Sequence, residues 1–240
     1  MKKFHHARKP FLIRTLLATF FSGLLFSHAP LADGSKQTNN FALGAGVGTT
    51  GLSLNGTFQL SDNINFRGIY ANYDFSENDT ESGIAYQFDI ELDTFSLLLD
   101  WHPSADSGFR ISLGGINNGT NFSAKTTQTS GNITVGNSTF LASDIGTINA
   151  KVDYDSFAPY IGIGWGNAVD EAGRWSFSFD IGAMFTGSPD VSVRCTQVSA
   201  GGAAQALCDQ QADEEENELE DELGDFDVYP VVSIGFAYKF

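Results

Sequence analysis

From residue 226 to the end of the chain, apolar residues occupy every second position: Phe226, Val228, Pro230, Val232, Ile234, Phe236, Tyr238 and Phe240. Asp227, Tyr229, Val231, Ser233, Gly235, Ala237 and Lys239 lie between them. A helix cannot gather residues spaced by two onto one face, whereas a strand does so by construction. The same period returns along the chain. Leu52, Leu54, Gly56, Phe58 and Leu60 alternate with Ser53, Asn55, Thr57 and Gln59, and Phe41, Leu43, Ala45 and Val47 with Ala42, Gly44, Gly46 and Gly48. Trp175, Phe177, Phe179, Ile181, Ala183 and Phe185 form another series, and Phe95, Leu97, Leu99 and Trp101, Phe109, Ile111 and Leu113, and Phe157 to Trp165 form three more. The chain is therefore all-β, with one face of each strand bulky and the other small or polar.

A soluble sandwich packs such bulky faces against each other, whereas a membrane barrel turns them to lipid and fills its lumen with small and polar groups. Aromatic placement favours the barrel. Trp101, Trp165 and Trp175 stand at strand ends beside short turns, and Tyr238 and Phe240 at another, as an interfacial girdle requires. Connections fall into two classes: short ones at residues 61–63, 102–107 and 166–173, and long ones at 77–83, 125–150 and 194–225. With Thr49-Thr50-Gly51 as a tight turn, alternating the classes backward from the last strand yields an eight-stranded antiparallel up-and-down transmembrane β-barrel. The apolar phase slips in two places. Tyr86, Phe88, Ile90 and Leu92 are even, but Phe95, Leu97 and Leu99 are odd, and Tyr70 is followed by Tyr73 and Phe75. A β-bulge would shift the phase; strands projecting beyond the lipid would produce the same pattern.

Lys2, Lys3, Arg8, Lys9 and Arg14 precede an apolar run from Thr15 to Phe26 and small residues at Ala29 to Ala32, which reads as a secretory signal peptide over residues 1–32. The barrel then spans 33–240. The chain carries 13 basic and 29 acidic residues, a net charge of -16, and loss of the leader removes basic groups only. Nucleic acid is excluded as a partner, because its binding needs clustered Lys and Arg. His5, His6 and His28 lie in the leader, so His102 alone remains for a catalytic triad or a histidine metal site. It sits at a short turn, away from the long connections, and we expect no enzyme. No cofactor or metal is expected either. Gly46-Val47-Gly48-Thr49-Thr50-Gly51 has the dinucleotide spacing, but a strand follows it where that motif needs a helix.

Several stretches carry a family likeness: Val47-Gly48-Thr49-Thr50-Gly51, Phe157-Ala158-Pro159-Tyr160-Ile161-Gly162, Thr186-Gly187-Ser188-Pro189-Asp190-Val191 and Val228-Tyr229-Pro230-Val231-Val232. With them the chain resembles the CarO-type channels, small bacterial outer-membrane barrels known as ornithine-uptake and carbapenem-associated proteins. The resemblance implies an eight-stranded barrel associated with uptake of small basic amino acids. It brings no substrate-contact motif, and residues 125–150 and 194–225 have no obvious counterpart.

The inner faces carry the candidate site. Arg67, Asp100, Arg110 and Asp180 point to the lumen by phase, as does Lys239 on the last strand, with Asn55, Gln59, Ser112 and Ser178 as polar lining. Exposing an Arg to lipid near the midplane would cost about 2–4 kcal/mol, so inward placement is favoured. Asp100 and Arg110 flank one short turn and are expected to pair. These charges read either as a selectivity constriction or as a network that plugs the barrel, since eight strands leave an interior just wide enough for side chains. Glycines at 44, 46, 48, 114, 162, 164, 182 and 235 read either as room for water, or as what permits the tight coiling of a small barrel or lets large partners such as Tyr160 and Met184 fill the axis.

Residues 209–227 hold an acidic run that includes Asp213, Glu214, Glu215, Glu216, Glu218, Glu220, Asp221 and Glu222. It reads as a solvated helix or disordered loop, or as an external funnel that concentrates cations. No glycine stands where an EF-hand-like calcium loop needs one. Cys195 and Cys208 share one external connection in an oxidising compartment and are expected to form a disulfide.

The function expected is a narrow passive channel for small solutes, cations or basic amino acids among them, in the bacterial outer membrane. The alternative is a closed structural or surface-interaction barrel whose loops bind lipopolysaccharide, divalent cations or host partners. Expected partners are outer-membrane lipid and lipopolysaccharide, small cationic solutes, and the barrel-assembly machinery acting on the strand that ends at Phe240.

Overall fold

The structure is a computed structural model that describes residues 40–240 except 82–83, 105–106, 128–129, 136–137, 170–172, 197–200 and 225. The expected leader lies outside the described residues. In chain order the elements are β1 (Phe41–Gly48), β2 (Gly51–Ser61), β3 (Ile64–Glu81), β4 (Ile84–Trp101), β5 (Phe109–Asn118), β6 (Asn121–Thr126), β7 (Asn132–Val135) and β8 (Ser138–Leu141). Then come helix α1 (Ala142–Ile145), β9 (Thr147–Asp153), β10 (Phe157–Trp165), β11 (Trp175–Phe185), β12 (Asp190–Thr196), helix α2 (Gly202–Leu223) and β13 (Val228–Lys239).

Eight strands close into a ring in the order β1, β2, β3, β4, β5, β10, β11, β13 and back to β1, every pair antiparallel. Closure leaves the ring no free edge. Alternation then sorts the side chains. Leu54, Leu99, Ile163, Phe177 and Phe236 point outward and are roughly half exposed, while Thr57, Asn65, Ser112 and Asp180 point inward and are buried. The ring is not two stacked sheets, so its aromatic and aliphatic rows cover no protein core. At the rim with the short turns, Trp101, Trp165 and Trp175 are more than half exposed. Trp175 packs edge-on against Tyr238 at 5.0 Å, and Tyr238 against Phe240 at 5.3 Å.

The tight β1–β2 turn is built on Gly51, whose φ is 105°. A Cβ there would lie 2.5 Å from the Asn72 carbonyl oxygen. Thr49 ties this turn to the last strand: its hydroxyl donates to the Pro230 carbonyl at 2.9 Å, and its own carbonyl accepts from the Tyr229 hydroxyl at 2.7 Å.

Five ring strands continue past the ring, three of them after short breaks, and make an extension. The first half of β4 pairs with β6, β6 with β9, and β9 with β12. The extension has its own apolar core, in which Ile84, Ile133, Ile145, Val191 and Val193 meet Cys195, Cys208 and Ala212. This explains the phase slip without a bulge. Pairing of β3 with β4 runs unbroken from Ile64↔Trp101 to Glu81↔Ile84, so the even residues of β4 share one face throughout. Below, that face lines the lumen; above, Ile84 and Tyr86 join the second core. Residues 77–81, expected in a loop, therefore continue β3 as a paired strand. Residues 125–150 carry β7, β8, α1 and part of β9, and residues 194–225 carry α2.

Candidate functional site

Four charged side chains meet inside the ring. Arg67 comes from β3, Asp100 from β4, Arg110 from β5 and Asp180 from β11, and none is more than 7% exposed. In an eight-strand ring β3 and β11 are four strands apart in either direction, so Arg67 reaches across the lumen to Asp180. Its Nη1 and Nη2 donate to Asp180 Oδ2 and Oδ1, both at 3.2 Å. On its own side Arg67 Nη2 donates to Asp100 Oδ1 at 3.0 Å, and Nε lies 2.8 Å from Asp100 Oδ2 in charge contact without hydrogen-bond alignment. Arg110 Nη2 donates to both Asp180 oxygens at 2.8 Å, and Nη1 donates to the Gly166 carbonyl. Ser112 Oγ donates to Asp100 Oδ1 at 2.5 Å. Two guanidiniums and two carboxylates thus balance, which is how buried charges are tolerated.

The expected Asp100–Arg110 pair is present only as a 3.9 Å contact. The shorter partnerships are crossed: Asp100 takes Arg67 and Ser112, and Arg110 takes Asp180. Lys239 is buried on the same inner face, but the contacts just given are made without it.

Small cavities lie on either side of Arg67. One of about 50 Å³ is lined by Gly46, Gly48, Ser53, Ser233 and Gly235 together with Tyr160, Ile116 and Leu98. The other, about 20 Å³, is lined by Thr57, Asn65, Asp100, His102 and Arg110. Asn55, Arg67 and Ser178 line both. Gln59 is half-buried on the inner face of β2 and lines neither. A water needs roughly 10–15 Å³, whereas small-molecule pockets run to about 300–1,000 Å³, so in this conformation each of these two cavities has room for waters and not for a solute.

The rest of the lumen is filled unevenly. Leu98, Ile116, Ala158, Tyr160, Met184 and Val231 form a buried apolar cluster, mostly from β4, β5, β10 and β11. Gly182 and Gly162 make way for the Tyr160 ring: a Cβ on Gly182 would sit 2.6 Å from Tyr160 Cε2, and one on Gly162 2.8 Å from Cζ. Glycines on β1 and β13 line the larger cavity instead. Both readings of the inward glycines thus apply, on adjoining parts of the wall. The sequence held one signal for the apolar wall, since Leu97-Leu98-Leu99 puts an apolar residue on each face of β4.

At the short-turn end, just past β4, His102 is buried, with Nε2 3.2 Å from Asn65 Nδ2. Burial holds its imidazole below the ordinary pKa, and the Arg110 charge acts in the same direction. At the other end, Cys195 and Cys208 form a disulfide that ties β12 to α2. The acidic run is helical: Asp213, Glu214, Glu218, Asp221 and Glu222 are exposed, while Glu215 and Glu220 are half-buried. Glu216 accepts from the Val193 amide at 3.0 Å and from Arg194 at 3.4 Å. Among the described residues, no three His, Cys, Asp or Glu side chains converge as metal ligands would.

No family model matches the chain, and no curated protein matches it in sequence. Solved structures do match in fold. Acinetobacter baumannii CarO2 superposes with a TM-score of 0.56 at 20% identity, covering 85% of this chain and 100% of that one. The fold is that of CarO. A second crystal structure, A. baumannii CarO, gives 0.53 at the same identity and coverage. The stretches that resemble CarO-type sequences fall where the ring fixes the backbone: residues 47–51 make the β1–β2 turn, 157–162 open β10, 186–191 join β11 to β12, and 228–232 open β13.

Proposed function

We propose that the chain is a β-barrel of the bacterial outer membrane and acts as a narrow passive channel for small solutes, shut in this conformation by Arg67. One observation carries the reading: Arg67 is a shared wall of two cavities that together follow the lumen. The exposed apolar rows of the ring and the aromatic rim support placement in a bilayer. The CarO fold supports the outer membrane as that bilayer, with lipid and lipopolysaccharide around the ring and the strand ending at Phe240 offered to the assembly machinery. No covalent step is involved.

Small cations, basic amino acids among them, are the solutes we favour. The lumen network is charge-balanced, so any preference comes from the acidic side chains of α2, which raise cation concentration near the mouth. Such a preference fades with salt, because the Debye length falls to about 3 Å at 1 M. Planar-bilayer recording of refolded protein tests the reading. It expects small unitary currents with modest cation preference that weakens at high salt; no current from correctly folded protein contradicts it.

A second reading, a closed barrel that serves as a platform for surface interactions, has its own support. The extension carries a separate core and a disulfide, more structure than a pore mouth needs. Loss of binding to lipopolysaccharide after removal of the extension, with no change in current, would favour that reading.

A further inference from the structure

The four lumen charges divide into two close, charge-balanced pairs, each with a contact of 2.8 Å. Arg67 and Asp100 stand on adjacent strands, β3 and β4, joined by contacts of 2.8 and 3.0 Å. Arg110, on β5, holds both oxygens of Asp180, on β11, at 2.8 Å. Arg67 to Asp180 is the hydrogen-bonded charge link between these halves, and at 3.2 Å it is longer than either in-half pairing, while Arg110 Nε stands 3.9 Å from Asp100 in charge contact alone. Breaking that link leaves two neutral pairs, each against its own wall. Breaking an in-half pair instead strips a buried carboxylate of its closest cation, the costly event in a buried network. The route so opened is also defined. The apolar cluster blocks the side of β4, β5, β10 and β11, while Asn55 and Ser178, lining both cavities, lie on β2 and β11 beside the glycine and serine wall of β1 and β13.

We propose that the Arg67–Asp180 bridge is a latch: its release folds Arg67 back onto Asp100 and joins the two cavities into an off-axis path along β1, β2 and β13. This rests on the channel reading and adds how that channel opens. The latch is bistable because both states are charge-balanced, as a two-state element requires.

The test exchanges one pair at a time in the full chain, refolded into bilayers. Arg110→Asp with Asp180→Arg keeps each half neutral but sets two guanidiniums against each other across the lumen. Exchanging Arg67→Asp and Asp100→Arg as well restores attraction. The latch predicts that the double exchange raises mean current about tenfold or more, by shifting a two-state population, and that the fourfold exchange returns it to the wild-type level. Arg67→Gln, which removes the bridge and leaves Arg110 on Asp180, is the second variant should the exchanges not fold. It too should raise the current, with folding confirmed by heat-dependent gel migration. Wild-type current that none of the folded variants changes overturns the latch and leaves the channel standing. Silence from folded wild type and folded Arg67→Gln alike overturns both.

Discussion

In the ring, β4 turns Phe95, Leu97 and Leu99 outward and buries Ser96 and Asp100 within. In the extension the same strand, in unbroken register with β3, turns Ile84 and Tyr86 inward and leaves Glu91 and Asp93 exposed. One strand thus carries two opposite polarity patterns on one unchanged geometry. Hydrophobic phase reports which face leaves water: the ring turns its apolar rows outward, whereas the extension closes its own over a core.

Substitutions sharpen that contrast. Ile145→Ala removes a fully buried side chain from the extension core and should cost about 2–5 kcal/mol there. Limited proteolysis is expected to release the extension while the ring keeps its heat-dependent gel shift. Replacing Cys195 and Cys208 together by Ser opens a loop of about 14 residues, worth roughly 3 kcal/mol in the chain-entropy model. Hydrogen exchange should rise in β12 and α2 and stay unchanged in β1, β2 and β13. Ile163→Arg, on the outward row of β10, should cost about 2–4 kcal/mol in urea titrations of vesicle-embedded protein, whereas Asp93→Arg on the extension's outer face should cost far less. Equal costs at the two sites would erase the boundary between the regions. Gly182→Ala pushes a methyl into the Tyr160 ring, and overpacking of this kind costs about 1–3 kcal/mol.

The smallest expected effect lies at His102. Folding holds its pKa below the unfolded value of 6.5, so the unfolded chain binds more protons there. Stability from this group is present above about pH 6.5 and is lost as pH falls toward the folded pKa. Comparing urea midpoints at pH 7.5 and 5.5 should show a slightly larger drop in wild type than in His102→Asn.

Much of this was legible in the residues. Strict alternation in Trp175 to Phe185 and in Phe226 to Phe240 marks ring strands, and the same phase turns Arg67 and Asp180 inward. Their meeting was not legible. Sequence proximity suggests Asp100 with Arg110 across a short turn, but closure brings β3 opposite β11, and that relation exists only in the ring. The extension escaped for a different reason. Its strands Asn132–Val135 and Ser138–Leu141 are too short to show a period. β9 and β12 do alternate, Ile148, Ala150 and Val152 on one and Val191, Val193 and Cys195 on the other, but these faces are closed by α2, whose acidic sequence reads as solvated, so the alternation does not reveal a protein core.

On the channel reading, the outward rows of the ring meet acyl chains. Nitroxide labels placed singly at each position from 157 to 165 along β10, in vesicles, measure it through collision with oxygen dissolved in lipid and with a water-soluble nickel chelate. A two-residue oscillation is expected, with oxygen contact high at the odd positions 159, 161 and 163 and low at 160 and 162. A flat profile, or odd positions reached better by nickel than by oxygen, would contradict it.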